Sequence, residues 1–409
     1  MKILITTFTY LPNADGCSEA AAVLARGLAR RGHSVTVATE FHPNRVPDEP
    51  DANPRVVQFK ISGETNWRVG VKGETGAFQE FLRNFSCDVI IFENWHYWPT
   101  YLAEPLLLHL KAKKILVSHA YTPHIWTPHS EFPWGLGLWM GGWALFFRTP
   151  WLMRRMDQLV VLSDRRDFGR FLDHRIARWT GYKKVSVIPN GAFASEFNND
   201  QLPDFRKEFN PGAGLLLLCV ANYCDRKNQL LAVRAFRRAQ LKGATLVLIG
   251  SEFNEYSEQA RRLDAELQKD FPAGRVVLLE KLTRAQTCAA YRAADLFVLP
   301  AKAETQPIVL LEAMASHTPW LSTDTGCVSE LPGGIVAHSE DDLVKKMREM
   351  ASSPALRQKL IDDGWAACQK TYDWEQVVDT YDRLVNRLVN QTSGRSPTVD
   401  GAESGKKSI

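Results

Sequence analysis

The stretch that decides the fold is ILITTFTYLPNADGCSEAAAVLARGLARRGHSVTVAT, residues 3–39. Residues 3–8 are predicted to form a short buried strand, and SEAAAVLARGLARRG has apolar residues at helical spacing with a glycine stop at Gly32. HSVTVAT, which follows, is predicted to be the next strand. A strand, a helix and a strand in succession form a βαβ unit, which predicts a parallel, doubly wound sheet.

Further apolar runs extend this sheet. Three of them, each ending at a polar residue, are predicted to be parallel strands: CDVIIFE at 87–93, KKILVSH at 113–119 and DQLVVLS at 157–163. Ligands of doubly wound sheets bind beyond the carboxyl ends of the strands. Glu93, His119 and Ser163 are therefore expected near one edge of a crevice.

The strand and helix pattern restarts after residue 191, at GLLLLCVANY and ATLVLIGSE. The sequence therefore predicts an α/β protein of two Rossmann-like, doubly wound domains, residues 1–190 and 191–372. An amphipathic terminal helix, 373–390, is expected to return to the N-terminal domain. The polar, Gly/Ser-rich segment 391–409 is predicted to be a disordered tail.

Bulk composition agrees with two globular domains, because 409 residues exceed what one core usually supports. A formal charge of +4 gives no support for binding nucleic acid. The seven cysteines are scattered without a CxxC pair, so we expect neither disulfides nor a zinc site. Reduced thiols, and an N-terminus too polar for a signal peptide, favour a cytoplasmic protein.

The segment AETQPIVLLEAMA, residues 303–315, contains the strongest candidate site. Pro307 predicts that a helix opens there, with Glu304 in the preceding loop and Glu312 inside the helix. Unpaired N–H groups at a helix start can bind phosphate, and carboxylates accept hydrogen bonds from sugar hydroxyls. The segment is therefore interpreted as a cradle for a sugar nucleotide. The alternative is a helix end with two ordinary acids.

This segment and five others resemble the retaining glycosyltransferases of family 4 type, which have the GT-B fold. The other segments, in the same order along the chain, are SEAAAVLARGLARRGHSVTVAT, SHAYTPH, VVLSD, VIPNGAFASEF and VANYCDRKNQ. The resemblance extends over nearly all of residues 1–389. It implies an N-terminal acceptor domain and a C-terminal sugar-donor domain that face each other across a cleft.

The resemblance also implies site residues. Catalytic roles fall on His119 and Glu304, which would face the donor sugar, and on Lys227, which would bind the diphosphate leaving group. Glu312 would bind the ribose. The remaining implied donor-binding residues are Gly16, Asn222, Arg226, Pro307, Ile308 and Val309.

Two departures from the family pattern affect the diphosphate and the sugar. Asn222 stands where the family has an arginine, so Arg226, beside Lys227, is the candidate replacement. Thr305, Gln306 and Pro307 replace the commoner Gly-Phe-Gly, so the hydrogen bonds to the sugar are expected to differ.

The aromatic segment FPWGLGLWMGGWALFF, residues 132–147, is followed by Arg148, Arg154 and Arg155. It is too short and too rich in glycine to span a bilayer. Two interpretations stay open. Either residues 132–155 contact a membrane surface and present a lipid-linked acceptor, or the aromatic side chains pack in the N-terminal domain or line an acceptor groove.

The sequence thus predicts transfer of a hexose from a UDP or GDP sugar to a glycan or lipid-linked glycan, in bacterial surface polysaccharide synthesis such as that of lipopolysaccharide. The setting would be cytoplasmic, at the inner face of the membrane. No cofactor and no essential metal are expected, because no Asp-x-Asp motif is suitably placed. The alternatives are a sugar-nucleotide epimerase and a non-catalytic sugar-nucleotide-binding homologue. A nicotinamide oxidoreductase is disfavoured, because GxGxxG is absent after the first strand.

Overall fold

A computed structural model describes residues 1–391 except 14, 47–48, 50, 64, 66–69, 96, 120–142, 144–145 and 165–171. Most of the aromatic segment 132–147 and nearly all of the predicted tail 391–409 lie outside the described residues. The described chain forms two parallel sheets, each covered by helices.

The first sheet has seven strands in the described part of the chain, in the order β3-β2-β1-β6-β7-β8-β9, all parallel. The strands of this half, together with a small β4-β5 hairpin, are β1 Lys2–Thr6, β2 Ser34–Glu40, β3 Arg55–Phe59, β4 Ile61–Gly63, β5 Val71–Gly73, β6 Val89–Glu93, β7 Lys113–Ser118, β8 Gln158–Val161 and β9 Val185–Val187. The central strands are buried on both faces, which explains their continuous apolar sequence.

Helices flank this sheet. They include α1 Gly16–Arg30, α2 Thr75–Asn84, α3 Trp98–Ala103 and α4 Leu172–Trp179. The buried face of α1 is rich in alanine and leucine and packs on β1 and β2. Asp15 caps the start of α1, because its carboxylate accepts the N–H groups of Cys17 and Ser18, both at 3.0 Å.

The second sheet repeats the plan, with six described strands in the order β12-β11-β10-β13-β14-β15. Its strands are β10 Leu216–Val220, β11 Thr245–Gly250, β12 Arg275–Glu280, β13 Leu296–Leu299, β14 Trp320–Thr323 and β15 Gly334–Ala337. Its helices are α5 Ala194–Phe197, α6 Phe205–Phe209, α7 Gln229–Ala239, α8 Glu255–Leu267, α9 Arg284–Ala293, α10 Ile308–Ala315, α11 Glu340–Ser352 and α12 Pro354–Ala367. The predicted pair of Rossmann-like sheets is confirmed.

The last helix, α13 Trp374–Asn390, returns to the first sheet, as predicted. It crosses α1 so closely that a Cβ on Gly27 would lie 2.6 Å from Cγ1 of Val378. Its apolar face joins the core that contains β1, and an ion pair of 2.7 Å between Arg31 and Asp379 lies at the rim. We call the first sheet, its helices and α13 the N-terminal lobe, and the second sheet with its helices the C-terminal lobe.

The chain crosses between the lobes at two adjacent places. The N–H of Ala192 donates to the carbonyl of Tyr372 at 2.8 Å, and a Cβ on Gly191 would lie 2.9 Å from the nitrogen of Trp374. The two crossing segments therefore run side by side, with only a glycine fitting at the contact.

In both sheets the strand order reverses between two neighbouring strands, and that is where ligands of such sheets bind. These switch points lie between β1 and β6 in the N-terminal lobe and between β10 and β13 in the C-terminal lobe. The loops that follow β10 and β13 contain five of the predicted site residues: Asn222, Arg226, Lys227, Glu304 and Pro307.

Candidate active site

An ion pair lies at the switch point of the C-terminal lobe. Lys227 is in the loop after β10 and Glu304 in the loop after β13, and Nζ of Lys227 lies 2.6 Å from Oε1 of Glu304. Nη1 of Arg226 is 3.5 Å from the same oxygen. Glu304 is buried, whereas the Arg226 side chain is 57% exposed. Two cations thus converge on one buried carboxylate.

The loop that contains Glu304 is tightly held by its own lobe. The N–H of Glu304 donates to the hydroxyl of Thr325 at 2.8 Å, and the N–H of Cys327 donates to the carbonyl of Thr305 at 2.8 Å. Gly326 has a φ of 57°, and a Cβ there would lie 2.1 Å from the Thr305 carbonyl. Only glycine fits this close approach, so the backbone on either side of Glu304 has one arrangement.

Helix α10 begins one residue after the predicted position. Pro307 is the residue before the helix, with extended φ and ψ of −71° and 112°, and Ile308 is the first helical residue. A proline has no side-chain acceptor to cap the free N–H groups of Ile308 and Val309. The start of α10 is therefore open to an anion, and it faces the N-terminal lobe, where a Cβ on Gly16 would lie 3.6 Å from Ile308.

Glu312, buried inside α10, belongs to a second charged group. Its Oε1 lies 2.6 Å from Nη1 of Arg284, and Arg284 also pairs with Glu196 at 2.5 Å. Burial lowers the pKa of Arg284, but the two carboxylates outweigh this and raise it. Glu19 on α1 interacts electrostatically with all three residues. Burial raises the pKa of Glu19 most, Arg284 lowers it, and Glu196 and Glu312 raise it. The group therefore also faces the N-terminal lobe.

His119 lies at the switch-point edge of the N-terminal lobe, directly after β7. Its Nε2 is 2.5 Å from Oε2 of Glu93, and the backbone N–H of His119 donates to the side-chain oxygen of Asn94 at 3.1 Å. Glu93 is only 3% exposed. A buried carboxylate bonded to one ring nitrogen fixes the orientation of the imidazole.

The charged groups of the two lobes lie close to each other. Burial, and next the carboxylates of Asp15 and Glu93, raise the pKa of the Cys17 thiol to about 12, while Arg226 of the other lobe lowers it. The amide of Asn94 lies 3.8 Å from the Cys17 sulfur. Arg226 is therefore near the start of α1 as well as near Glu304.

The structure thus brings some predicted site residues together and not others. Lys227, Arg226 and Glu304 form one group, and Ile308 lies against Gly16. Asn222 is exposed, and its carbonyl accepts a hydrogen bond from Gln229 at 3.0 Å.

The carbonyl of Val309 accepts from the Tyr291 hydroxyl at 3.3 Å, so this residue is fixed to its own lobe. Sequence reasoning missed the partnerships of His119 with Glu93 and of Glu312 with Arg284.

The described residues show neither a cluster of metal ligands nor a membrane-spanning helix. No group of three or more His, Cys, Asp or Glu side chains among them could hold a metal ion. None of the helices described is long and apolar enough to cross a membrane.

Two family models match the chain in succession. The model for glycosyltransferase family 4 matches residues 14–193, and the model for glycosyl transferases group 1 matches residues 200–365. The two matches correspond to the N-terminal and C-terminal lobes.

Two curated relatives are similar to the chain. The lipopolysaccharide core biosynthesis mannosyltransferase LpcC of Rhizobium leguminosarum bv. viciae is 28% identical over 220 residues, which are 51% of this chain and 58% of that protein. The match thus spans little more than half of that relative. The lipopolysaccharide glucosyltransferase WaaG of Escherichia coli (strain K12) is 21% identical over 380 residues, 87% of this chain and 91% of that protein.

Among solved structures, Anabaena Alr3699/HepE in complex with UDP and glucose superposes with a TM-score of 0.68 at 13% identity. The superposition covers 95% of this chain and 100% of that one. At this identity the likeness concerns the fold, in which two Rossmann-like lobes are arranged in the same way.

Proposed function

Because the chain belongs to the glycosyltransferases of the GT-B fold, as the sequence motifs predicted, we propose that it moves a hexose from a nucleotide sugar to a glycan or lipid-linked glycan. UDP or GDP is the leaving group, and the configuration of the sugar is retained. The relatives named for lipopolysaccharide synthesis support a surface polysaccharide as the acceptor. The cytoplasmic setting and the absence of a cofactor stay predictions.

The pair of Lys227 and Glu304 is the observation that carries this proposal. Negative charge develops on the departing diphosphate during the reaction, and positioned cations stabilise it. Lys227, Arg226 and the open start of α10 supply positive charge at one switch point. When the diphosphate binds Lys227, the Glu304 carboxylate loses its ion pair with this lysine and can accept hydrogen bonds from the sugar hydroxyls.

The diphosphate charge is proposed to be neutralised by protein groups without an essential metal. Arg226 is proposed to bind the diphosphate in place of the arginine that the family has at the position of Asn222. Its guanidinium already lies 3.5 Å from Glu304. It is a weaker ligand than a buried arginine, since it is more than half exposed and solvent screens its charge.

His119 is proposed to face the donor sugar from the N-terminal lobe. Its bond to Glu93 holds the ring in one orientation, so that it acts on a sugar hydroxyl with little loss of side-chain entropy. Glu312 is proposed to bind the ribose hydroxyls, with Arg284 fixing one of its oxygens.

The test is to incubate the protein with UDP and GDP sugars in the presence of a chelator and to measure the nucleotide released. Release is expected from wild type and from Lys242→Ala, an exposed lysine of the C-terminal lobe. Loss is expected in Glu304→Ala and Lys227→Ala. An isomerised donor would indicate an epimerase, and no consumption of any donor would indicate a binding homologue. The anomeric configuration of the product, read by NMR, tests retention.

We further propose that the N-terminal lobe contacts an anionic membrane surface, through residues 132–155 and the adjacent end of α4. Phe147 is 70% exposed and Trp179, which stacks on Phe146, is 73% exposed. The Arg155 guanidinium lies 4.2 Å from the Trp151 ring. Exposed aromatic rings beside arginines are typical of membrane-interface surfaces.

Flotation with anionic liposomes tests the membrane contact. Wild type is expected to float, and Trp151→Ala combined with Trp179→Ala is expected to float less. The double substitution Trp139→Ala with Trp143→Ala tests the aromatic segment itself. Absence of flotation by wild type, or flotation unaffected by either pair, would contradict the contact.

A further inference from the structure

Gln306 joins the two lobes through both ends of its side-chain amide. Its Oε1 accepts the backbone N–H of Asn190 at 2.6 Å, and its Nε2 donates to the carbonyl of Leu162 at 3.2 Å. Both partners belong to the N-terminal lobe, beyond the carboxyl ends of β9 and β8. Gln306 itself is a buried residue of the C-terminal lobe, 7% exposed. One buried side chain thus satisfies two backbone groups of the opposite lobe.

The position of Gln306 in the chain connects this bridge to Glu304. It lies two residues after Glu304 and directly before Pro307, in the loop that Thr325, Gly326 and Cys327 already hold on the other side. A backbone fixed from both sides cannot shift at one end without moving the other. The position of the N-terminal lobe is therefore transmitted to the Glu304 carboxylate.

A cavity and a second side-chain contact lie next to this bridge. A cavity of about 220 Å³ borders the bridge, lined by Leu162, Ser163, Val187, Gln306, Glu330 and Tyr372. The Ser163 hydroxyl donates to the Glu330 carboxylate across the lobes, but Glu330 is exposed to solvent. Because the lobes do not pack tightly here, the buried amide of Gln306 is the better defined of the two connections.

We propose that Gln306 is a positioning residue that couples the arrangement of the lobes to the orientation of Glu304, and thereby sets the rate of sugar transfer. The role rests on the proposed function of Glu304. It does not require Gln306 to touch the substrate, because both ends of its amide are used by the N-terminal lobe. Binding of the nucleoside diphosphate, which Lys227 and the start of α10 provide, does not depend on the bridge.

The first experiment compares Gln306→Leu with wild type in steady-state transfer and in UDP and GDP binding by calorimetry. We expect kcat to fall about tenfold or more, because a small misplacement of a catalytic group is costly. The dissociation constant of the nucleotide is expected to change less than about twofold. An unchanged kcat would overturn the proposal. So would a nucleotide affinity that falls in parallel with kcat, since Gln306 would then be a ligand contact.

A matched control is available within one lobe. Gln158 is also buried, 5% exposed, and its Nε2 donates to the Ser186 hydroxyl at 3.0 Å within the first sheet. Gln158→Leu removes an amide of the same size without touching the lobe contact. We expect its kcat to stay within about twofold of wild type after comparison at equal folded fraction. A loss equal to that of Gln306→Leu would overturn the proposal.

Gln306→Glu provides a test with a rescue. The carboxylate still accepts from Asn190, but its second oxygen opposes the Leu162 carbonyl, whereas a protonated carboxyl donates to it as the amide does. A buried carboxyl next to a carbonyl has a raised pKa. The ratio of kcat in Gln306→Glu to wild type is therefore expected to rise as the pH is lowered from about 8 to about 6. A ratio independent of pH would contradict the bridge.

Small-angle X-ray scattering separates this proposal from the proposed function. The radius of gyration is expected to increase in Gln306→Leu and to stay unchanged in Gln158→Leu, whether or not any sugar is transferred. If wild type transfers no sugar but the radius changes, the proposed function fails and the bridge stands. If wild type is active and neither the radius nor kcat responds to Gln306→Leu, the bridge fails alone.

Discussion

The two lobes have the same strand order around their switch points but opposite charge there. In the N-terminal lobe, Asp15 lies between β1 and α1, and Glu93 is the last residue of β6. In the C-terminal lobe the loops beside β10 and β13 contain Arg226 and Lys227, which converge on Glu304. The fold offers two equivalent crevices, and under the proposed function the charge of the residues beside them selects one for a diphosphate.

The starts of helices α1 and α10 show the same contrast. At α1 the Asp15 carboxylate already accepts the N–H groups of Cys17 and Ser18. At α10 the preceding residue is Pro307, which has no side-chain acceptor, so the N–H groups of Ile308 and Val309 stay available. The C-terminal lobe therefore has the helix start that is open to an anion. Gly16, which the family resemblance implies as a donor-binding residue, lies at the start of α1, where the Asp15 carboxylate is already present.

The largest expected effect comes from removing the cation of the C-terminal switch point. Lys227→Met is expected to lower kcat/KM about 10²- to 10³-fold, because a charge that stabilises the leaving group is lost. It should also weaken UDP or GDP binding measured by calorimetry. Lys242→Met, at an exposed lysine of the same lobe, serves as the control. Nucleotide affinity equal to wild type in Lys227→Met would break the contrast between the lobes.

The equivalent change in the N-terminal lobe should act on the rate alone. His119→Ala is expected to lower kcat about tenfold to a hundredfold, because a positioned imidazole is lost from the sugar site. The dissociation constant for the nucleotide should stay within about twofold, since no diphosphate contact is removed. Calorimetry and steady-state kinetics on the same sample check this. Weakened nucleotide binding would show that the N-terminal lobe also holds the diphosphate.

Glu304→Gln should separate binding from transfer. The substitution keeps the shape but removes the carboxylate that neutralises Lys227 in the free protein. We expect the affinity for UDP or GDP to rise about fivefold, corresponding to about 1 kcal/mol, while kcat falls about tenfold. Titration calorimetry gives the first quantity. A weaker affinity would mean that Glu304 holds the nucleotide and not the sugar.

A smaller effect is expected at Arg226, which is 57% exposed. Arg226→Ala should weaken nucleotide binding about two- to fivefold, because solvent screens an exposed charge. The difference from wild type should shrink as salt is raised. An effect as large as that of Lys227→Met would mean that Arg226 fully replaces the arginine missing at Asn222.

The smallest effect is expected at Cys17, which lies between the charged residues of the two lobes. Burial, followed by Asp15 and Glu93, raises its pKa to about 12, so the thiol is neutral below about pH 10. Cys17→Ser should change kcat/KM less than about twofold, and the pH profiles of the two proteins should coincide up to about pH 9. A rise in wild-type activity above pH 8 that Cys17→Ser lacks would reveal a reactive thiolate.

The sequence predicts the parallel sheets well, because strands buried on both faces read as continuous apolar runs such as VIIFE and LLLCV. It predicts strands poorly where their side chains are only partly buried. The strand RVVQF at 55–59 lies at the edge of the first sheet, and only Phe59 in it is fully buried. The start of α10 is displaced by one residue because proline fits both the position before a helix and its first turn.

Some features of the candidate site could likewise be predicted from the sequence, and others could not. Glu304 and Lys227 are predicted from the resemblance to the glycosyltransferase family, whose motifs mark loops at the ends of strands. The bonds of Glu93 with His119, Arg284 with Glu312 and Gln306 with Leu162 join distant parts of the chain, so no local pattern reports them. The contact between Glu93 and His119 could have been predicted. Glu93 ends β6 and His119 directly follows β7, and these two strands pair in the parallel sheet.

The most direct test of the central claim is a crystal structure of the protein with UDP or GDP bound. The account predicts the β-phosphate at the start of α10, within hydrogen-bonding distance of Nζ of Lys227, with the Glu304 carboxylate moved off that nitrogen. A diphosphate bound at the start of α1, with the Lys227–Glu304 pair intact, would contradict it.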